Sequence, residues 1–190
     1  MAEKGRPRSE KTEKAILAAA YKLLMEDGFQ SVTVDSIAKE AGVSKATIYK
    51  WWPNKASVVA DSFFAAAQQR IHTPDTGSVE KDLLLQLGNL SNFLETDRGR
   101  VITELIAQGQ FDQDVANAYR TRYFAPRRLE AREILQRGLD RGELKKDMNI
   151  ELSIDLIFAP LFYRMLVTGA EVDSDFIKNV VFYVLTGIKA

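Results

Sequence analysis

T-V-D-S-I-A-K-E-A-G-V-S-K-A-T-I-Y-K-W-W-P-N-K, residues Thr33 to Lys55, reads as two short helices joined by a tight turn. Thr33 is a candidate cap for the first of them, which ends at Gly42. Gly42 can enter the left-handed conformation that a sharp turn between crossed helices needs. Ala38, four residues earlier, is small enough to let the helices approach closely. Ile37, Val43 and Ile48 supply an apolar plug between them. Ser44 is placed to cap the next helix, Lys45 to Trp52, which Pro53 stops.

That helix has two faces. Ile48 and Trp52 are four apart and point inward, while Lys45, Ala46, Thr47, Tyr49, Lys50 and Trp51 cover the rest. Small, methyl-bearing and hydrogen-bonding side chains suit base edges, whereas Lys and Tyr suit phosphates. Asn54 is placed to cap a fourth helix, which runs to about Arg70, with Lys55 in its first turn, where backbone N–H groups favour a phosphate. The pattern fits a helix-turn-helix, and a short Ala-x-x-x-Gly-Val window also fits a helical hairpin in an ordinary bundle.

Working outward, nearly every segment has helical periodicity and none alternates as a strand. Ser9 to Asp27 carries an apolar stripe, Ile16, Leu17, Ala20, Leu23 and Leu24, and Gly28 follows as a stop. His72 to Ser78, with Pro74 and Gly77, is the best linker. Beyond it the spacing predicts helices over Ser78–Glu95, Asp97–Gly109, Asp112–Arg141, Asn149–Gly169 and Asp173–Ile188, with Pro126 kinking or splitting the third.

Composition narrows the chemistry. The 190 residues are 46% hydrophobic and 27% charged, ordinary for a packed globular chain. The absence of cysteine excludes disulfides, thiolate metal sites and thiol nucleophiles. One histidine, His72, excludes multi-histidine metal sites and the usual nucleophile–base pairs. Phosphate-binding glycine loops and nucleophile elbows are missing, so no enzyme is expected. Apolar runs fall well short of the roughly 18 residues of a membrane span, and Met1 to Lys14 has no apolar signal core, so a cytoplasmic protein with no membrane partner is expected. Net charge is zero, but residues 1–60 hold ten Lys and Arg against seven Asp and Glu, while the remainder holds 16 against 19. That asymmetry suits a DNA-facing N-terminus and equally an ordinary solvated tail.

The long string resembles the TetR family of bacterial regulators. The match covers about Glu13 to Phe63, from I-L-A-A-A and G-F to T-V-x-x-I-A-x-x-A-G-V-S-K-x-T-I-Y-x-x-W-P-x-K. The resemblance implies an all-α chain of about nine helices: an N-terminal three-helix helix-turn-helix domain and a larger helical ligand-binding and dimerisation domain. The expected boundaries are 1–55 for the DNA-binding domain, with the motif at about 33–52, helix 4 connecting to about 72, and 73–190 for the larger domain. It implies contacts to phosphate by Thr33 and Lys55, a groove-facing set of Lys45, Ala46, Thr47 and Lys50, and a place for Ser44 among the DNA-binding residues. Tyr49 and Trp51 would touch backbone or thymine methyls. Arg6 and Arg8 would reach phosphate or minor groove, or form a free tail. Trp51-Trp52 replaces the family's frequent His-Phe and resembles a subgroup whose DNA preference differs.

Two late segments bear on assembly. Between Leu152 and Ala170 the only charges are Asp155 and Arg164, and Phe176 to Leu185 is nearly as apolar. A helix without a polar face must bury both sides, against a partner subunit or within one domain. The partner reading predicts a two-fold dimer through Phe158, Leu161, Met165, Phe176, Val180, Val181, Val184 and Leu185. A two-fold dimer expects a palindromic operator on double-stranded DNA.

No cofactor is expected. The resemblance implies an unidentified small-molecule inducer, in a pocket drawn from Phe93, Ile102, Ile106, Phe111 and Tyr119, with Tyr123, Phe158, Phe162 and Met165. Simple core packing explains the same residues. The expected function is a ligand-released homodimeric repressor. The alternative is a ligand-independent DNA-binding or architectural protein.

Overall fold

The computed structural model describes residues 10–66 and 73–189. Arg6, Arg8, the Ser9 cap and His72 therefore lie outside the described residues. The described residues are helical apart from turns, short extended connections and one β-bridge between Leu144 and Lys189. The chain divides into two compact units, Met1–Gln69 with Glu104–Tyr123, and Arg70–Thr103 with Phe124–Ala190.

In the first unit, α1 (Glu10–Ser31) is interrupted at Gly28, whose φ of 76° and ψ of 163° break the helix where the stop was expected. Next come α2 (Val34–Ala41), α3 (Lys45–Tyr49) and α4 (Lys55–Ala66). α1 packs on α2 and α4. Ile16, Leu24, Phe29, Ile37, Ile48, Val59 and Phe63 are buried together with Trp52. Each such side chain contributes roughly 1.5–3 kcal/mol by leaving water. α7 (Gln113–Tyr119) packs against α4 and adds Val115, Ala116 and Tyr119.

The second unit is built from α5 (Val79–Leu94), α8 (Ala125–Asp140), α9 (Ile150–Tyr163) and α10 (Ser174–Ile188). α5 packs on α8 and α10, and α9 packs on the same two helices. Their shared core holds Leu83, Leu87, Ile134, Leu135, Ile157, Leu161, Val181 and Leu185. α6 (Asp97–Gln108) begins in this unit and ends in the first. A π turn, Arg120–Phe124, joins α7 to α8 without a break. Counting that run once leaves nine helices among the described residues, as expected. Pro126 explains the π turn: its ring cannot sit against the carbonyl of Arg122, so the preceding turn widens. Pro160 inside α9 is likewise followed by a π turn, Arg164–Thr168.

The expected partner-facing set is corrected here. Leu161, Val180, Val181 and Leu185 are buried in the second unit's own core. Phe158, Phe176 and Val184 are partly buried against it. Met165 is half-buried, its sulfur accepting from the Thr103 hydroxyl at 3.6 Å. In these two segments the large apolar side chains left in solvent are Leu152, Leu156 and Tyr163 on α9, Leu166 and Val167 in its π turn, and Phe182 and Tyr183 on α10. Periodicity reveals that such helices carry two apolar faces. Packing alone decides which face turns inward.

Candidate nucleic-acid interface

The helix-turn-helix is held by its caps. Thr33 Oγ1 accepts from the Ser36 backbone N–H at 3.0 Å, and Ser36 Oγ accepts from the Thr33 N–H at 3.0 Å. This reciprocal box satisfies two donors that α2 would otherwise leave unpaired. Gly42 ends α2 with φ 65°, and its N–H reaches back to Ala38 and Lys39. Ser44 Oγ then accepts from the Thr47 N–H at 3.2 Å and starts α3. The turn needs the glycine because an L side chain at that φ crowds its own backbone.

α3 lies on its apolar anchor as the two-face reading requires. Ile48 is fully buried and Trp52 is 4% exposed. Lys45, Ala46, Tyr49 and Lys50 are exposed, and Thr47 and Trp51 are half-exposed. The Ser44 and Thr47 hydroxyls lie 2.9 Å apart and share a hydrogen bond. Lys45 Nζ pairs with Asp35 Oδ1 of α2 at 2.5 Å. The hydrogen bond from Lys45 to this carboxylate raises the ammonium pKa.

Trp52 is fastened from behind. Its Nε1–H donates to Asp61 Oδ2 of α4 at 2.8 Å, and the Arg122 guanidinium pairs with the other oxygen of Asp61. Asp61 was not singled out from the sequence. An acid inside the apolar run Val58 to Phe64 was the signal available for Asp61.

Lys55 departs from expectation. Its ammonium points into the unit, donating to the Phe29 carbonyl at 2.9 Å and lying 4.5 Å from the Phe29 ring centroid. Burial pushes its pKa down. The side chain closes the carbonyl end of α1 instead of facing solvent. Phe29 lies in the last turn of α1, where backbone carbonyls lack an intrahelical partner.

The residues proposed for a ligand pocket are not brought together as one set. Phe93 and Phe158 line a hollow in the second unit, with Gln86, Asn89, Leu90, Arg127 and Glu130, none of which the sequence placed in a pocket. Phe162 stacks obliquely on Phe124 with centroids 5.4 Å apart. Ile102, Tyr119 and Tyr123 are buried, and Ile106 is half-buried. Tyr123 packs on Phe64 at 5.9 Å. Phe111 is 93% exposed beside the cap of α7, which removes it from any interior lining.

Comparisons with known proteins agree with this geometry. The family model described as bacterial regulatory proteins, tetR family, matches residues 16–61. That for the tetracyclin repressor-like C-terminal domain matches residues 73–184. The chain is 52% identical over 188 residues to the uncharacterized HTH-type transcriptional regulator YdeS of Bacillus subtilis, covering 99% of this chain and 95% of the relative. It is 31% identical over 177 residues to the DNA-binding transcriptional repressor TetR of Mycobacteroides abscessus, covering 92% of each. Among solved structures it is similar to the TetR family transcription regulator SCO0332, with a TM-score of 0.79 and 36% identity, covering 94% of this chain and 98% of that one.

Proposed function

Because the chain belongs to the TetR family, DNA-binding transcription regulators and not enzymes, we propose that it is a homodimeric repressor of a palindromic operator, released by a small-molecule ligand. The observation that carries the DNA side is α3 itself: Ile48 and Trp52 are sunk in the core, and Lys45, Ala46, Tyr49 and Lys50 stand in solvent. On this reading Ala46, Thr47 and Lys50 face the major groove, Lys45 exchanges Asp35 for a phosphate, and Tyr49 and Trp51 meet backbone or thymine methyls. Thr33 and Ser44 serve first as caps and offer phosphate contacts from the same positions. The Trp51-Trp52 pair marks a subgroup with its own operator preference. On the same reading residues 1–55 bind DNA and residues 73–190 sense and dimerise.

Dimerisation is supported by the exposed apolar face of α9 and α10, centred on Leu156, Tyr163 and Phe182. An apolar face of this extent on a soluble chain favours a second copy over water. Repression rather than activation is supported by the 31% identical repressor. Release by ligand is a population shift toward a dimer whose two α3 helices no longer match successive major-groove faces.

Genome-wide mapping of bound DNA, followed by footprinting on the strongest site, tests this. The expected result is a protected palindrome, bound far more tightly than random DNA at moderate salt. Equal binding to random DNA would instead favour the ligand-independent architectural reading.

A further inference from the structure

The motif from Thr33 to Lys55 holds two acids, Asp35 and Glu40. Glu40 turns back to α1, where Lys22 Nζ lies 2.8 Å from its carboxylate. Asp35 instead crosses to α3: its Oδ1 is 2.5 Å from Nζ of Lys45, the first residue of that helix. Both side chains are open to solvent, 68% exposed for Asp35 and 53% for Lys45. The N-terminal residues of a recognition helix are the ones that meet base edges. The carboxylate therefore stands where α3 enters the groove.

An acid at that place weakens binding to any duplex, because DNA surrounds it with phosphates. In the first turn of α2 it complements the helix terminus. That role accounts for the acid but not for its pairing with α3. An exposed ion pair is cheap to open. Once Lys45 leaves for a phosphate, the carboxylate faces the groove and needs a donor. The major groove offers the N4 amino group of cytosine and the N6 amino group of adenine, whereas guanine and thymine present acceptors that repel it. Adenine N6 is flanked by acceptors on both sides, its own N7 and the O4 of the paired thymine. Cytosine N4 has one on the guanine side only. Cytosine is thus the base opposite which the pair opens at least cost.

We propose that Asp35 is a specificity-determining residue of the DNA interface. It accepts from the N4 amino group of a cytosine in the operator, and opposite any other base it holds Lys45 off the phosphates. The assignment rests on the reading of α3 as the helix that enters the major groove.

Selection of bound sites from a pool of randomised duplexes, followed by affinity measurements over a salt series, tests it. The unaltered chain should select a cytosine at one fixed position. Asp35→Ala should accept any base there, and Asp35→Asn should turn the preference to adenine, whose N6 and N7 match an amide. On random duplex of equal length the alanine variant should bind more tightly, with a slope of log affinity against log salt steeper by about one, since Lys45 is set free. The ratio of selected-site to random affinity should fall at least about fivefold, the low end for one base pair. A cytosine preference that survives in either variant, or an unchanged ratio, overturns the proposal. A small loss of thermal stability with neither change is what an acid at a helix terminus gives by itself, and overturns it too. If the unaltered chain selects no sequence, the operator reading fails along with this one. If it selects a palindrome and the alanine variant selects the same one, only the role of Asp35 falls.

Discussion

The indole N–H of Trp52 donates to Asp61 across 2.8 Å, tying the end of the recognition segment to the middle of α4. Trp52 is nearly inaccessible, so water cannot replace the acceptor. Arg122 holds the same carboxylate from the π turn after α7. One acid therefore fixes the seat of α3 from two directions.

Removing that acid leaves a buried donor and a guanidinium without their partner. Asp61→Ala is expected to lose about 1–3 kcal/mol in a denaturant melt and to shift the tryptophan emission. Asp61→Asn keeps an acceptor for Trp52 and should lose less. A melt unchanged by the alanine variant would show that the indole N–H does not depend on Asp61.

The turn between α2 and α3 depends on backbone conformation alone. A Cβ built on Gly42 meets nothing within 4 Å, yet its φ is 65°. Gly42→Ala should therefore cost about 1–2 kcal/mol through left-handed strain, with Gly42→Asn costing less. Equal midpoints for the glycine and alanine forms in urea would contradict this.

Lys50 and Lys55 should part company. Lys50 is exposed at the end of α3, and Lys50→Ala should reduce the slope of log affinity against log salt by about one. Lys55 spends its ammonium on the Phe29 carbonyl. Lys55→Ala should leave that slope as it is and lower stability by about 1 kcal/mol, the scale of one hydrogen bond. A changed slope in the Lys55 variant would return its ammonium to the phosphates.

The face proposed for dimerisation can be separated from the core beneath it. Leu156→Glu combined with Phe182→Glu alters only exposed positions. It should give a folded monomer by sedimentation and circular dichroism, with operator affinity lost. Leu185→Glu places a charge in the core and should unfold the unit outright. A stable dimer carrying both exposed glutamates would move the interface elsewhere.

Much of this was written in the order of residues. Caps are local, so Thr33, Gly42 and Ser44 are legible from the sequence alone, whereas α3 ends at Tyr49, before the Pro53 stop that the sequence suggests. A spacing of four marked Ile48 and Trp52 as the buried side of α3, and helical periodicity placed the remaining helices to within a few residues. Tertiary structure decided whatever joins residues far apart in sequence. It turned Lys55 onto Phe29, 26 positions away, and paired Trp52 with Asp61. It sent Leu161 and Leu185 into the core and left Leu156 and Phe182 outside. Periodicity identifies faces, but which neighbour each face meets depends on how the helices are oriented when they pack.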